Sequence, residues 1–600
     1  VYDARKEQDC KGWAMPHFDD RNWQTAVEVK ESDFKTSEDF QLLPDMAEAI
    51  MPVDTLTALN CVEPRKGVYV YDLGQNMAGV PLVHFSGLKP GTEVKIRTAE
   101  IKYPDLPAYQ DHVGMIMTEN LRVATSQDVY VARGGEETFS PRYTLHGFRY
   151  LEITGVDAPV APDQIKAIVV SSMNEQASQY STSRSDINRL WLNSVWSTRS
   201  NFMSVPTDCP QRNERLGWMG DISVFGRSAT YITDASQFLR RYLISVRDLQ
   251  SAKGQYPDVA PTNCGFGGLL WASAGVTLPW ELYQQYGDKA MLAEHYASMK
   301  RYIQFVLDEY VDKKTGLIVQ HHQWGDLGDW LSPSYEKDDK SLVWECYFIF
   351  DLDILSQMAK ALGKTEDAAW LTRLANERRA FFRKTFVDEA TGKTICSWYD
   401  AERKGQLIDT QTSYALPLAF HVVDGDLQKK MAAHLAAAIK TPMAGYPAYS
   451  LLTGFIGTAW ISKALSDNGM SEEAYRLLQY EGYPSWLYPV KNGATTIWER
   501  LNSYTVKDGF GENNSMNSFN HYSFGAVASW MYNYSLGICR DEKSPGFKHF
   551  ILKPEVDPTR GITHAEGYYD SMYGRIRSRW QYTDSGIRYE FTVPANTTAS

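Results

Sequence analysis

The chain has 600 residues, with 61 Lys plus Arg against 73 Asp plus Glu, a formal net charge of −12, and 43% hydrophobic against 22% charged residues. That length exceeds one core and suggests roughly two to four domains, and the composition excludes a disordered, collagenous or coiled-coil chain. The acidic balance argues against nucleic acid, whose affinity rests on Lys and Arg at phosphates, and no run reaches the roughly 18 to 20 uncharged apolar residues of a membrane span.

At the start, Val1 is not followed by a basic segment and an apolar stretch, so a signal peptide is expected to be absent or already removed, and residues 1–58 read as a partial β-domain or linker. From 59 to 178, short alternating runs such as "GVYVYDLG", "GVPLVHFSG", "TEVKIRTAE" and "RYLEITG" are punctuated by Gly and Pro, the pattern of an antiparallel β-sandwich. The period then changes. Ser185 is placed to cap a helix carrying Ile187, Leu190, Trp191 and Val195, and "CYFIFDLDILSQMAKALG" sets Phe348, Leu352, Leu355 and Leu362 on one side before Gly363 stops it. Thr365 restarts a helix, and "LQKKMAAHLAAAIK", "TAWISKALSDNG" and "SEEAYRLLQYEG" continue the series, so 179–542 reads as serial helix hairpins. With no regular repeat of 20 to 50 residues to mark a solenoid, a closed (α/α) barrel is favoured. Residues 543–600 return to strand alternation in "FKHFILKPEV" and "GIRYEFTVPA", a C-terminal β-sandwich expected to be incomplete.

The 17 Trp and 36 Tyr suit the CH faces and hydroxyls of sugars, although large cores also use them. The densest polar cluster, "DCPQRNERLGWMGD", holds Asp208, Arg212, Glu214, Arg215, Trp218 and Asp221 in a connector containing Pro and Gly. Carboxylates and guanidinium take hydroxyls in bidentate fashion, and an indole supplies an apolar wall. A surface loop with ion pairs has the same composition. A second cluster, "GATTIWERLNSY", carries Trp498 and Glu499 and is followed by Asn517 and His521; a third, "HHQWGDLGDWLSP", supplies Trp324, Asp326, Asp329 and Trp330. In a ring of helix pairs, connectors at one end converge on the axis, so Glu214 and Glu499 can face each other. Two opposed carboxylic groups are the minimum equipment for glycoside hydrolysis. No phosphate-binding glycine motif, GxSxG elbow or HExxH spacing is present, and the seven cysteines form no CxxC pair, so neither a metal nor a cofactor is expected.

These segments, together with "NHYSFGAVASWMY", "YDARKEQDCKGWAMPHFDDRNW", "YDLGQNMAG" and "YTLHGFRYLEITG", resemble glycoside hydrolase family 78, the bacterial-type α-L-rhamnosidases, over almost the whole chain. The resemblance implies a central (α/α)6 barrel flanked by antiparallel β-sandwich domains, and hydrolysis of terminal α-L-rhamnosyl residues with inversion. It assigns Glu214 as general acid and Glu499 as general base. It places Asp208, Arg212, Trp218, Asp221 and His521 around the sugar, and Trp271, Trp324, Asp329, Trp330 and Trp498 beside them. It also implies a carbohydrate substrate and a periplasmic or extracellular address. Asn213 and Ser273 depart from the family, standing where acids are frequent; losing a neighbouring negative charge eases ionisation of Glu214. Another sugar on the same fold, a catalytically silent glycan-binding protein and a phosphorylase are the competing readings.

Overall fold

A 21-residue strand, Val68–Leu88, organises the first part of the chain. The computed structural model describes residues 1–29, 44, 46–262, 264–321, 326–511 and 513–600. From residue 79 to 85 buried and half-buried positions alternate, as in a strand between core and solvent, whereas 75–79 is buried throughout. Its first half pairs antiparallel with His146–Thr154, its second half with Ile165–Ser171 and Gly135–Phe139. One strand therefore serves both halves of the domain. The result is a nine-stranded hydrogen-bonded sheet, in which Met51–Thr57 and Tyr2–Asp3 form the two edges. Tyr2–Asp3 and Met51–Thr57, in the segment 1–58 expected as a partial β-domain or linker, thus belong to this sheet. The core between its faces gathers Tyr71, Met77, Val83, Phe85, Ile96, Leu151 and Ile153, and Trp196 enters it from the helical region.

From Ser185 the chain is helical. Helices buried on nearly every side alternate with helices that keep a wet face: Met219–Ile232, Ala274–Tyr286, Lys340–Ala361, Gln411–Ala419 and Phe455–Asp467 belong to the first kind. Ser236–Asp248, Lys289–Phe305, Thr365–Phe386, Gly425–Lys440 and Ser471–Gln479 belong to the second. Each buried helix touches the next, and Phe455–Asp467 touches Met219–Ile232 and the turn Ser523–Val527. Ser185 is the first helical residue of Ser185–Asn201 rather than its cap, since Arg184 occupies the cap position without a side-chain bond. Gly363 follows Lys340–Ala361 with φ 73°, the left-handed conformation that ends a helix.

The strand Ser178–Thr182, between sheet and helices in sequence, pairs with His564–Ser571 in a four-stranded antiparallel sheet with Gly574–Thr583 and Gly586–Thr592. Ile576 and Trp580 of this sheet join the same hydrophobic cluster as the helices. The C-terminal strands therefore pack on the helical core.

Sheet and helices meet where the candidate site begins. A Cβ on Gly147, in the strand His146–Thr154, would lie 2.8 Å from both the Gln211 nitrogen and the Pro210 Cγ, so only glycine lets the "DCPQRNER" connector lie on the sheet. Gly147→Ala is expected to cost about 1 to 3 kcal/mol, as over-packing does. The check is the thermal or urea midpoint, and a midpoint equal to that of the unaltered chain contradicts the close approach.

Candidate active site

The connector from Asp208 to Leu216 is closed by its own hydrogen bonds: the Asp208 amide donates to the Leu216 carbonyl and the Leu216 amide to Asp208 Oδ1 at 2.8 Å. Arg212, inside this loop, is 1% exposed. Its Nε donates to Glu214 Oε2 at 3.0 Å and its Nη1 to the Met516 carbonyl at 3.2 Å. Its Nη2 lies 2.9 Å from Glu214 Oε2, 3.2 Å from Glu499 Oε2 and 4.0 Å from Asp208 Oδ2. Two glutamates nearly half the chain apart thus converge on one guanidinium nitrogen.

Downstream, Trp218 precedes the helix Met219–Ile232, and its Nε1 donates to Glu214 Oε1 at 2.9 Å. Asp221 sits in the first turn of that helix, where the helix dipole favours a carboxylate. Its Oδ1 accepts from the Ser523 hydroxyl at 2.8 Å and faces His521 Nε2 at 2.9 Å. The Glu499 amide donates to the Ser518 carbonyl, and the His521 amide to that of Ile497, which ties the two late loops together. Around a cavity of about 300 Å³ stand Asp208, Arg212, Glu214, Trp218, Asp221, Trp271, Trp330, Glu499 and His521. Asp208 Oδ2 and His521 Nδ1 are buried there without a hydrogen-bond partner among the described residues, and Glu499 Oε2 has no hydrogen bond there but faces Arg212 Nη2 at 3.2 Å. Such atoms are costly unless a ligand or water completes them. Gly220 lets the Trp271 ring lie on the helix start, since a Cβ there would stand 2.3 Å from the indole Cε2.

The charges sort the acids. Burial first, and then the charge of Glu214, push Asp208 up to about 7. Burial would also raise Glu214, but the cations of Arg212, Arg122 and His521 outweigh it and hold this carboxyl below its usual range. His521 would be depressed by burial, yet the negative charge of Glu499 and the bond to Asp221 carry it up to about 9. Asp208, Cys209 and Glu214 also bring potential metal-ligand atoms within 4.8 Å of one another. The Arg212 guanidinium already neutralises that group, and a cation there would meet its charge.

Two expected sugar-binding residues are placed otherwise. Asp329 is fully buried, and its carboxylate accepts from the Gly454 amide at 2.8 Å, the Gly457 amide at 2.9 Å and the Thr412 hydroxyl. It caps Phe455–Asp467 from a distant loop, because Gly454 at the cap position has no side chain to do so. Trp498 packs edge-on against Phe519 in a small cluster with Met117 and Phe510 and does not line the cavity. Trp324 lies outside the described residues. Of the two departures from the family pattern, Asn213 is exposed, and Ser273 donates to Asp351 Oδ2 at 2.7 Å in the buried interior.

The cavity also includes Arg122, Leu327, Phe455 and Met516, which the sequence reading did not select. Phe455 opens an apolar helix and resembles any core residue, and Arg122 lies in the β-rich part, far from every motif. The one available signal is proximity in sequence, which places Leu327 in the "WGDLGDWL" segment and Met516 just before His521.

A half-buried Glu214 and a buried Glu499, flanked by indoles and by unfulfilled polar atoms in a cavity of this size, have the make-up that glycoside hydrolysis requires of a site. Family models agree: residues 175–535 match the bacterial α-L-rhamnosidase six-hairpin glycosidase domain, 62–171 the concanavalin-like domain and 537–600 the C-terminal domain. The chain is 38% identical to an α-L-rhamnosidase of Streptomyces avermitilis over 602 residues, covering 100% of this chain and 54% of that protein. It is 33% identical to one of Formosa agariphila, covering 100% of this chain and 61% of the relative. The crystal structure of the Streptomyces avermitilis enzyme complexed with L-rhamnose superposes with a TM-score of 0.88 at 37% identity, over 100% of this chain and 54% of that one. The chain belongs to the bacterial α-L-rhamnosidase family, and it spans little more than half the length of these relatives. No helix among the described residues is long and apolar enough to cross a membrane.

Charged His521 gives a stability test. Its folded-state pKa of about 9 lies above the ordinary value of 6.5, so its contribution is complete below about pH 6.5 and is lost as pH rises through 9. His521→Gln is expected to be less stable by on the order of 3 kcal/mol at pH 6. The gap should narrow between pH 6.5 and 9.5, read as urea midpoints of both proteins at each pH; a gap independent of pH contradicts the charged pair.

Proposed function

We propose that this chain is an exo-acting, inverting α-L-rhamnosidase, with Glu214 as general acid and Glu499 as general base. The observation that carries the reading is the convergence of Glu214 and Glu499 on Arg212 in a cavity lined by Trp218, Trp271 and Trp330. At about 300 Å³ the cavity lies at the small end of ligand sites, which suits a single terminal sugar ring. The relative that was crystallised with L-rhamnose supports the sugar. A 6-deoxy sugar offers one methyl group to an apolar wall, here Leu327, Phe455 and the indoles, and hydroxyls to Asp208, Arg212, Asp221 and His521. Glu214 gives its proton to the glycosidic oxygen as the bond to the anomeric carbon breaks. Glu499 takes a proton from the water that attacks that carbon. The helical region is read as an (α/α)6 barrel, supported by the order in which its buried helices touch and by the six-hairpin family match.

Stereochemistry has a competing reading. The near oxygens of the two glutamates lie 2.9 and 3.2 Å from one nitrogen, so they are closer together than the roughly 6.5 to 9.5 Å typical of inverting pairs. The near oxygens alone therefore admit the roughly 5 to 5.5 Å of retaining pairs, with a covalent intermediate, whereas the family resemblance favours inversion. Proton NMR of α-L-rhamnoside cleavage decides: inversion releases the β-anomer first, and first release of the α-anomer overturns it.

Glu214→Gln and Glu499→Gln are each expected to lower kcat by about 10² to 10⁴. The acid variant should lose least on leaving groups that depart without protonation, while the base variant loses equally on all. Near-normal turnover of an alkyl α-L-rhamnoside by Glu214→Gln removes it from the acid role.

A further inference from the structure

Glu214 Oε2 is over-supplied with donors. A carboxylate has about four acceptor positions, two on each oxygen. Oε2 receives Arg212 Nε at 3.0 Å, faces Arg212 Nη2 at 2.9 Å and receives Arg122 Nη1 at 2.8 Å, while Oε1 receives Trp218 Nε1 at 2.9 Å. Oε1 keeps one open position, whereas Oε2 faces more donors than it has lone pairs. Oε2 can carry the acid's proton and hand it to the glycosidic oxygen only if a donor leaves it. Arg212 is buried to 1% exposure and is tied to the Met516 carbonyl and to Glu499, and Trp218 is part of the wall. Arg122 is different: its side chain is 28% exposed, and its other contacts are the Ser515 carbonyl at 3.0 Å and the Met516 sulfur at 3.8 Å.

Arg122 is delivered to the site by the β-domain. It closes the short turn Glu119–Leu121 with φ 57°, a strained value for a residue with a side chain. The turn is pinned immediately before that strained residue. Asn120 Nδ2 donates to buried Glu100 Oε2 at 3.0 Å, Tyr103 donates to Glu119 at 2.7 Å, and Asn514 donates to the same glutamate. Glu100 Oε2 also accepts the Phe519 amide at 3.1 Å, so the turn is fixed relative to the loop of His521.

We propose that Arg122, reaching across from the β-domain, is a positioning residue for the acid: it holds Glu214 in the empty site and yields its place to the glycosidic oxygen when a sugar enters. This rests on the reading of Glu214 as the acid. Proton balance is simple: Arg122 keeps its own proton, and withdrawal of its charge lets Glu214 take one from solvent and pass it to the leaving oxygen. The charged and titratable groups facing Glu214 are Arg212, Arg122 and His521, with Asp208 and Cys209 from its own loop and Glu499 beyond Arg212. The limb of a pH profile belongs to this whole set, so the informative quantity is its displacement between variants.

The experiment compares pH profiles of the full chain, Arg122→Gln, Arg122→Ala and Arg122→Lys on an alkyl α-L-rhamnoside, with Glu214→Gln alongside. An acid works protonated, so activity falls as pH rises through its pKa. Removing the neighbouring cation raises that pKa, and the alkaline limb of kcat/KM, which reports the free enzyme, should move up by about one pH unit or more in the Gln and Ala variants. The limb of kcat, which reports the complex Arg122 has already left, should move less, and Lys should keep the unaltered position. An unmoved kcat/KM limb in both neutral variants, or a Lys variant displaced as far as Ala, overturns the inference while leaving the acid assignment intact if Glu214→Gln has lost its turnover. Retained turnover in Glu214→Gln would instead remove the acid assignment, whatever Arg122 does.

Discussion

The site depends on one buried guanidinium. Arg212 has almost no contact with water, and it is flanked by Asp208, Glu214 and Glu499 while it donates to the Met516 carbonyl. Its planar fork lets a single cation address acids from two directions, which the compact ammonium of a lysine does not. Taking charges out of water is expensive, and losing one partner of such a group costs about 3 to 5 kcal/mol. Arg212 is therefore the reason the early connector and the late loops come to the same place, and also the reason three acids share a small space.

That arrangement is braced from the β-domain. Asn76 Nδ2 donates to Glu100 at 2.9 Å and to the Thr496 hydroxyl at 3.2 Å, and the Asn76 amide donates to the Thr495 hydroxyl at 2.9 Å. Burial pushes Glu100 up to about 7 even though Asn76, the Phe519 amide and the charge of Arg212 oppose it. A buried carboxyl with three donors in place fixes the Glu499 and His521 loops to the sheet. Gly147 does the same for the early connector by removing a side chain, letting backbone lie on backbone. The β-domain is thus part of the candidate site's architecture in a physical sense, since it sets where the polar loops end.

Much of this was legible in the residues. The switch from period two to period 3.6 near 180, the helix pattern around Leu352 and Leu355, and the close spacing of Asp208, Arg212, Glu214, Trp218 and Asp221 are local properties, and local properties survive in a linear string. The two displaced residues show where that stops. Asp329 and Trp498 sit inside motifs with the right composition, but a motif names a neighbourhood and not a direction. The carboxylate of Asp329 turned toward the amides at the start of Phe455–Asp467, and Trp498 turned toward Phe519. The bare start of a buried helix outbid a sugar hydroxyl for the first, and an apolar pocket for the second.

The sequence by itself determined the class of each segment, an acidic and aromatic composition, and the residue types of the proposed reacting pair. Only the tertiary structure decided that Arg122 and Phe455 stand in the same cavity, that Tyr2–Asp3 and Met51–Thr57 are edges of one sheet, and that Glu214 and Glu499 share a cation. The reason is range: periodicity and capping act over a few residues along the chain, whereas burial and charge act over a few ångströms of space, and the chain must close before the second kind of neighbour exists.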